Sequence, residues 1–423
     1  MSGTWSWILK NFVRDLDPGN QEWTGSIIRP RTMRSIFLTS HPCQQAWKSA
    51  WDLRADTIYL NHGSFGPSPQ PVLQAYRDWQ ARLENQPMDF FVRVFPEALL
   101  AARQRLADFL GAEAEDLVFV ENATQAMNVV ANSFPLVSQD QVLLTNHEYG
   151  AVQRIWQLTC ERVGAEVCTV DLPGYFDSSQ QVVDTIMAAC TDRTRLLVIS
   201  HITSPTAVTL PVQEICKRAR QQGIQVCIDG PHAPAQVPLD LETLGCDYYC
   251  ASCHKWLSAP FGTGFLYVAR EHQFRQRPLT LSWGQLPPEE VSHWSDEFLW
   301  SGTRDPSAYL AVPAAIDFME NVGLRDFQEA GHALAQYARQ QLVELTGEQP
   351  MVADDPCWYG CMAQHPLPPG DAGELQASLW EQYGIEVPIV DWNQQRFVRV
   401  SCHLYNDQQQ VDQLMVALRE LLT

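Results

Sequence analysis

Tyr248-Tyr249-Cys250-Ala251-Ser252-Cys253-His254-Lys255-Trp256 passes from a short apolar strand, Tyr248 to Ala251, into a turn that carries a lysine. Upstream, Val226-Cys227-Ile228 ends in the same way on Asp229, which opens Asp229-Gly230-Pro231-His232. Short, uninterrupted apolar strands belong to sheets covered on both faces, and such sheets are mostly parallel. Ligands of open α/β sheets bind outside the carboxyl ends of the strands. Asp229 and Lys255 are therefore expected on one edge of one sheet.

The same alternation extends outward. Thr57 to Asn61 reads as a short strand and His62-Gly63-Ser64-Phe65-Gly66-Pro67 as a turn. Apolar spacing predicts helices over Pro71 to Asn85 and Pro96 to Leu110. Further strands are expected at Leu117 to Val120, Gln141 to Thr145, Glu166 to Val170, Leu196 to Ser200 and Phe265 to Val268, and helices at Gln125 to Ser133 and Tyr149 to Arg162. After about residue 315 the pattern changes to a long helix, Leu324 to Leu345, separated strands and a last helix, Gln408 to Leu422. The chain thus divides into a large α/β domain over 56–315, with its first residues candidates for joining the small domain, and a smaller C-terminal α+β domain over 316–423. Residues 1–55 show no sustained period and read as an N-terminal extension or arm. They hold Trp5, Trp7, Trp23 and Trp47, the basic Arg29-Pro30-Arg31, and Met33, an alternative start.

Composition narrows the function classes. The 423 residues are too many for one small core at roughly 100–200 residues per domain. A formal charge of −20 repels phosphate backbones, which argues against nucleic-acid binding while leaving room for a local anion pocket. No apolar run approaches the roughly 20 residues of a membrane span. Trp5 to Leu9 is too short for a signal-peptide core, so a cytoplasmic location is expected. The twelve cysteines then read as reduced, packed thiols. Cys250-Ala251-Ser252-Cys253-His254 matches a haem-attachment pattern, but haem attachment needs an exported chain and zinc needs a second ligand pair, which is missing nearby. No metal is expected.

Three residue types at strand ends carry the chemistry. A lysine held in a folded site can lose its proton and condense with an aldehyde. An aspartate at a strand end can pair with a protonated ring nitrogen by a charge-assisted bond of about 1.5–3 kcal/mol. Together they supply the covalent anchor and electronic tuner that pyridoxal 5'-phosphate requires. Thr124 lies where a strand gives way to a helix, whose free N–H groups make a phosphate site. Each has an ordinary alternative: an N-cap threonine, a turn aspartate, a surface lysine. Their occurrence in order along one sheet edge favours the cofactor.

These residues are similar to those of the class V aminotransferase family of fold-type I pyridoxal-phosphate enzymes, which also holds cysteine desulfurases. The likeness extends from about residue 56 to the C-terminus and is nearest to the isopenicillin N epimerase-like branch. It rests on Leu60-Asn61-His62-Gly63-Ser64-Phe65-Gly66, Asn122-Ala123-Thr124, Asp229-Gly230-Pro231-His232-Ala233-Pro234, His254-Lys255 and Gly302-Thr303-Arg304-Asp305-Pro306. The resemblance implies that Lys255 is the Schiff-base lysine and Asp229 the partner of the pyridine nitrogen. It implies a phosphate cradle of the Ala123 backbone, Thr124, Ser252 and His254, and a homodimer in which Thr303 reaches the partner's cofactor. Tyr149, or His147 if the alignment shifts, would stack on the ring. Ser204 would approach the phenolic oxygen, with His232 beside it, although desulfurases tend to have Asn and Gln at these two positions. Arg399 in Arg399-Val400-Ser401-Cys402-His403 matches the arginine that clamps a substrate α-carboxylate, and Asn61 and His62 fall on the substrate side. Arg396 reads instead as a solvated strand-end charge.

The implied substrate is an amino acid or amino-acid-containing small molecule, and the implied reaction is epimerisation after removal of the α-proton. Lys255 is the expected base, and Tyr149, His62 or a partner-subunit group the second proton carrier. A C–S lyase or an aminotransferase on the same scaffold is the alternative. A persulfide mechanism is disfavoured, because Gly384 to Arg396, where desulfurases carry their nucleophilic cysteine, contains none.

Overall fold

The structure, a computed structural model, describes residues 42–282, 284 and 293–422. The features read at Trp5, Trp7, Trp23, Arg29-Pro30-Arg31 and Met33 lie outside the described residues. The end of the expected arm is packed: Trp51 is buried and meets Phe318, His403 and Tyr405 edge-on, and Lys48 pairs with Asp407.

Seven strands form the central sheet: β2 (Leu117–Val120), β3 (Gln141–Thr145), β4 (Glu166–Val170), β5 (Thr194–Ser200), β6 (Gln225–Asp229), β7 (Tyr248–Ser252) and β8 (Gly264–Val268). The order is β2-β8-β7-β6-β5-β3-β4, with only β8 antiparallel to its neighbours. β2 therefore runs in the same direction as β7, and all strands except β8 end on one edge. Alternate residues feed two apolar cores. Phe119, Leu197, Ile228 and Tyr249 face the larger one, and Val118, Val198, Cys227 and Cys250 the smaller. This period of two is why the strands read as unbroken apolar runs.

Helices α1 (Gln70–Asn85), α2 (Phe95–Leu110), α3 (Ala123–Ser133), α4 (Gly150–Val163), α5 (Ser179–Ala188) and α6 (Val212–Gln221) fill the connections. Helix α7 (Val312–Val322) was not read from the sequence, and the expected boundary near 315 falls inside it. It leads into α8 (Leu324–Thr346) and a three-stranded antiparallel sheet of β9 (Met362–Pro366), β11 (Ile389–Trp392) and β12 (Gln395–Ser401), flanked by α9 (Ala372–Tyr383) and α10 (Gln408–Leu421). β1 (Ile58–Tyr59) pairs in parallel with β10 (Ile385–Glu386) in a separate two-stranded sheet, so the chain's early residues pair with its C-terminal part. The main-chain N–H of Ser401 donates to Leu60 O at 2.9 Å, which ties the end of β12 to the segment entering the 62–66 turn.

Candidate active site

β6 and β7 lie side by side, and their ends bring Asp229 and Lys255 together. Asp229 is buried, whereas Lys255 keeps an open side. Burial pushes the Asp229 carboxyl up, and the Lys255 charge opposes that. Burial pulls the Lys255 amine down, helped by the Arg399 charge and opposed by Asp229. Lys255 Nζ lies 3.2 Å from His232 Nε2, and the Trp256 indole donates to His232 Nδ1 at 3.3 Å.

The start of α3 shares this edge. Asn122 is its N-cap, with Oδ1 accepting from Gln125 N at 2.9 Å. Thr124 is therefore not the capping residue; its side chain is exposed in the first turn. The Ala123 amide donates to Ser252 Oγ at 3.0 Å, and His254 Nδ1 donates to Thr263 O at 3.0 Å. Only glycine fits at 264, where a Cβ would stand 2.5 Å from Ala251 O and 2.9 Å from Asn122 Cα. That absence of a side chain lets the helix terminus approach the end of β7.

Arg399 reaches the same region from β12. Its Nη1 donates to Ser204 O at 2.5 Å and its Nη2 to Ser64 Oγ at 2.7 Å, while Nε is buried without a partner. Among the described residues no carboxylate pairs with it, and burial pulls its guanidinium down to about 10. Arg396 departs from its expected reading. It is 8% exposed rather than solvated, and it donates to Pro368 O and Asp371 O, tying the loop before α9.

Five further positions are informative. His147 is fully buried between Trp392, at 4.3 Å, and Phe176, at 5.7 Å, with Nδ1 bonded to Thr206 Oγ1. Tyr149, the residue before α4, is 50% exposed. His62 is also fully buried. Its Nε2 donates to Lys255 O at 3.0 Å and its Nδ1 accepts from Tyr405 Oη at 2.8 Å, so neither nitrogen is free for substrate or for delivering a proton. That corrects its expected placement on the substrate side. Asn61 Nδ2 is bonded to Glu386, and its buried Oδ1 has no partner. Thr303 is exposed on this single chain.

Sequence reasoning missed Glu148, Ser64 and Trp256. Glu148 is a buried carboxyl that accepts from Thr145 Oγ1 and Ser200 Oγ, and burial pushes it up to about 7. Glu148 and Ser64 stand inside stretches already singled out, but their roles depend on partners distant in sequence. Cys250 and Cys253 face different cores, which separates their thiols. Among the described residues the one cluster with metal-ligand proximity is Asp247, Glu271 and His272, away from this edge. The desulfurase cysteine interval is occupied by the β11–β12 hairpin. It turns through Asn393 and Gln394, both at positive φ, and is pinned by Trp392 Nε1 donating to Asn146 O at 3.0 Å.

The chain belongs to the aminotransferase class-V family, whose model matches residues 58–414. It is 39% identical over 395 residues to isopenicillin N epimerase of Amycolatopsis lactamdurans, covering 89% of this chain and 98% of that protein. It is 28% identical over 403 residues to L-cysteine desulfhydrase of Arabidopsis thaliana, covering 86% of this chain and 87% of that protein. Its fold matches the complex between the cystine C–S lyase C-DES and its reaction product cysteine persulfide, with a TM-score of 0.77 at 20% identity, over 86% of this chain and 98% of that one. The protein is a fold-type I pyridoxal-phosphate-dependent enzyme. Its own residues fit that cofactor: a partly exposed lysine beside a buried aspartate, and a capped helix terminus with an adjacent serine.

Proposed function

We propose that this enzyme removes and returns the α-proton of an amino acid, or of a small molecule with a free α-amino carboxylate, with epimerisation as the outcome. The observation that carries this reading is Arg399: a buried cation with no carboxylate partner among the described residues, its charge acting on Lys255. A planar guanidinium accepts a carboxylate bidentately. Such a ligand would satisfy Nε and present its α-carbon toward the lysine.

Pyridoxal phosphate supplies an electron sink for the carbanion. The chain's residues do the rest. Asp229 would hold the pyridine nitrogen, and Lys255 would anchor the aldehyde and be the group placed to move the α-proton. Ser252 Oγ accepts from Ala123 N, which leaves its own proton for a phosphate oxygen alongside the Thr124 hydroxyl. His254 spends Nδ1–H on Thr263, and a phosphate dianion would draw a proton onto its Nε2. A stacking ring needs a free face, which the half-exposed Tyr149 has and the enclosed His147 lacks; Tyr149 takes that role. Tyr149 also stays a candidate second proton carrier after His62 is set aside. Ser204 and His232 would stand on the side of the phenolic oxygen. A homodimer completes the site through the partner's copy of Thr303, and a cytoplasmic location suits the free cysteines.

The second reading is C–S lysis. It is favoured by the desulfhydrase relative and by the tight hairpin that carries no cysteine where a persulfide would form. A screen of amino acids in deuterated water separates the two. α-Proton exchange with inversion supports epimerisation, whereas pyruvate and sulfide support lysis. Absence of exchange with every amino acid tested would remove both. Lys255→Ala is expected to abolish the visible band that the protein forms with pyridoxal phosphate.

A further inference from the structure

We infer that Trp256 is a positioning residue whose indole N–H fixes the tautomer of His232, so that the Nε2 proton points at the Lys255 amine and selects its unprotonated form. The inference rests on reading Lys255 as the reactive amine.

An indole N–H can only donate. Since Trp256 Nε1 donates to His232 Nδ1, that nitrogen must present a lone pair. His232 is 1% exposed, and the charges of Lys255 and Arg399, with His62 nearby, all disfavour a second proton on it. The ring is neutral, and its single proton is on Nε2. That N–H lies 3.2 Å from Lys255 Nζ. An ammonium has three donors and no acceptor, so it would meet the N–H proton to proton; a free amine accepts it. Burial and the Arg399 charge oppose the ammonium and Asp229, the remaining charge facing Lys255, favours it; the His232 N–H, aimed at Nζ, adds to the opposition. The indole is well placed to hold its direction. Trp256 is fully buried, with the His62 ring at 5.2 Å and the His403 ring at 6.1 Å. The donor and the lysine it controls are chain neighbours in one turn, closed by Ser258 N donating to Lys255 O at 2.8 Å.

The test uses the full-length protein stripped of cofactor. The rate at which added pyridoxal phosphate forms its visible band, followed against pH, reports the midpoint of the amine's titration. Trp256→Phe keeps the ring and removes the donor. It is expected to raise the midpoint by about half a pH unit or more, with capture near pH 7 slowed several-fold. His232→Gln can donate to the amine without help from Trp256, so adding Trp256→Phe to it should produce no further shift. An unmoved midpoint in Trp256→Phe, or an equal shift in the His232→Gln background, overturns the inference. If Trp256→Phe does not fold, nitrogen NMR of the labelled histidines in the unaltered protein decides: Nε2-protonated His232 supports the inference and Nδ1-protonated His232 refutes it. Failure of the underlying reading looks different, because the unaltered protein would then form no band, or Lys255→Ala would form the same one.

Discussion

A guanidinium buried without a counter-ion is costly, because desolvation is not offset by Coulomb attraction. Among the described residues Arg399 bears this with the neutral acceptors Ser64 Oγ, Ser204 O and Ser204 Oγ at its tips. Arg396, three residues earlier on the same strand, is also buried but spends its donors on loop carbonyls. The two should separate in experiment. For Arg399→Ala, KM for α-carboxylate substrates is expected to rise on the order of 10²-fold, from the loss of two charge-assisted bonds. Steady-state kinetics checks this, and an unaltered KM would refute the clamp. For Arg396→Ala, the thermal midpoint is expected to fall with KM little changed. Asp229→Ala should retain some cofactor by absorbance yet lose turnover.

At the scale of elements, the site depends on how closely the 62–66 turn meets the turn after β7. His62 donates to Lys255 O, and Gly66 lies so close that a Cβ would stand 2.6 Å from Lys255 O and 2.8 Å from His254 O. Both obstacles are main chain, so neither can rotate aside. Gly66→Ala is expected to cost about 1–3 kcal/mol, lower the thermal midpoint and weaken cofactor capture together. Gly174→Ala, where an added Cβ meets nothing within 4 Å, is the control and should do neither. Equal behaviour of the two variants would show that the contact does not position Lys255. The β11–β12 hairpin plays a related part on the opposite wall, since Trp392 packs on His147 while β12 carries Arg399 inward.

Over the whole molecule, buried histidines set the response to acid. His62 is pulled down to about 3 and His201 to about 4, both chiefly by burial. His232 and His403 are also pulled well below their ordinary value by burial. The unfolded chain binds these protons near pH 6.5 and the folded chain does not, so each such group costs about 1.4 kcal/mol per pH unit as pH falls below that value. Glu148 and Asp229 are raised and act in the opposite sense, gaining stability as pH falls below about 7. His147, His254, His332 and His365 are lowered in the same way, so eight described histidines outweigh the two carboxyls and the thermal midpoint of the cofactor-stripped protein should fall between pH 6.5 and pH 5; a flat or rising profile there would contradict this. The strands were legible from residue order because a strand buried on both faces is a continuous apolar run, as at Leu117–Val120 and Gly264–Val268. The positions of Asp229, Ser252 and Lys255 followed, since a residue just past such a run lies at the sheet's ligand edge. Partnership across the chain was not legible. Arg399 meets Ser64, Glu148 meets Ser200, and His62 meets Tyr405. Local periodicity therefore determined the sheet and the placing of Asp229 and Lys255 at one edge of it. Only tertiary packing decided which arginine was spent, which helix residue was the cap and which histidines were enclosed, because burial and hydrogen-bond partners come from segments that the chain keeps far apart.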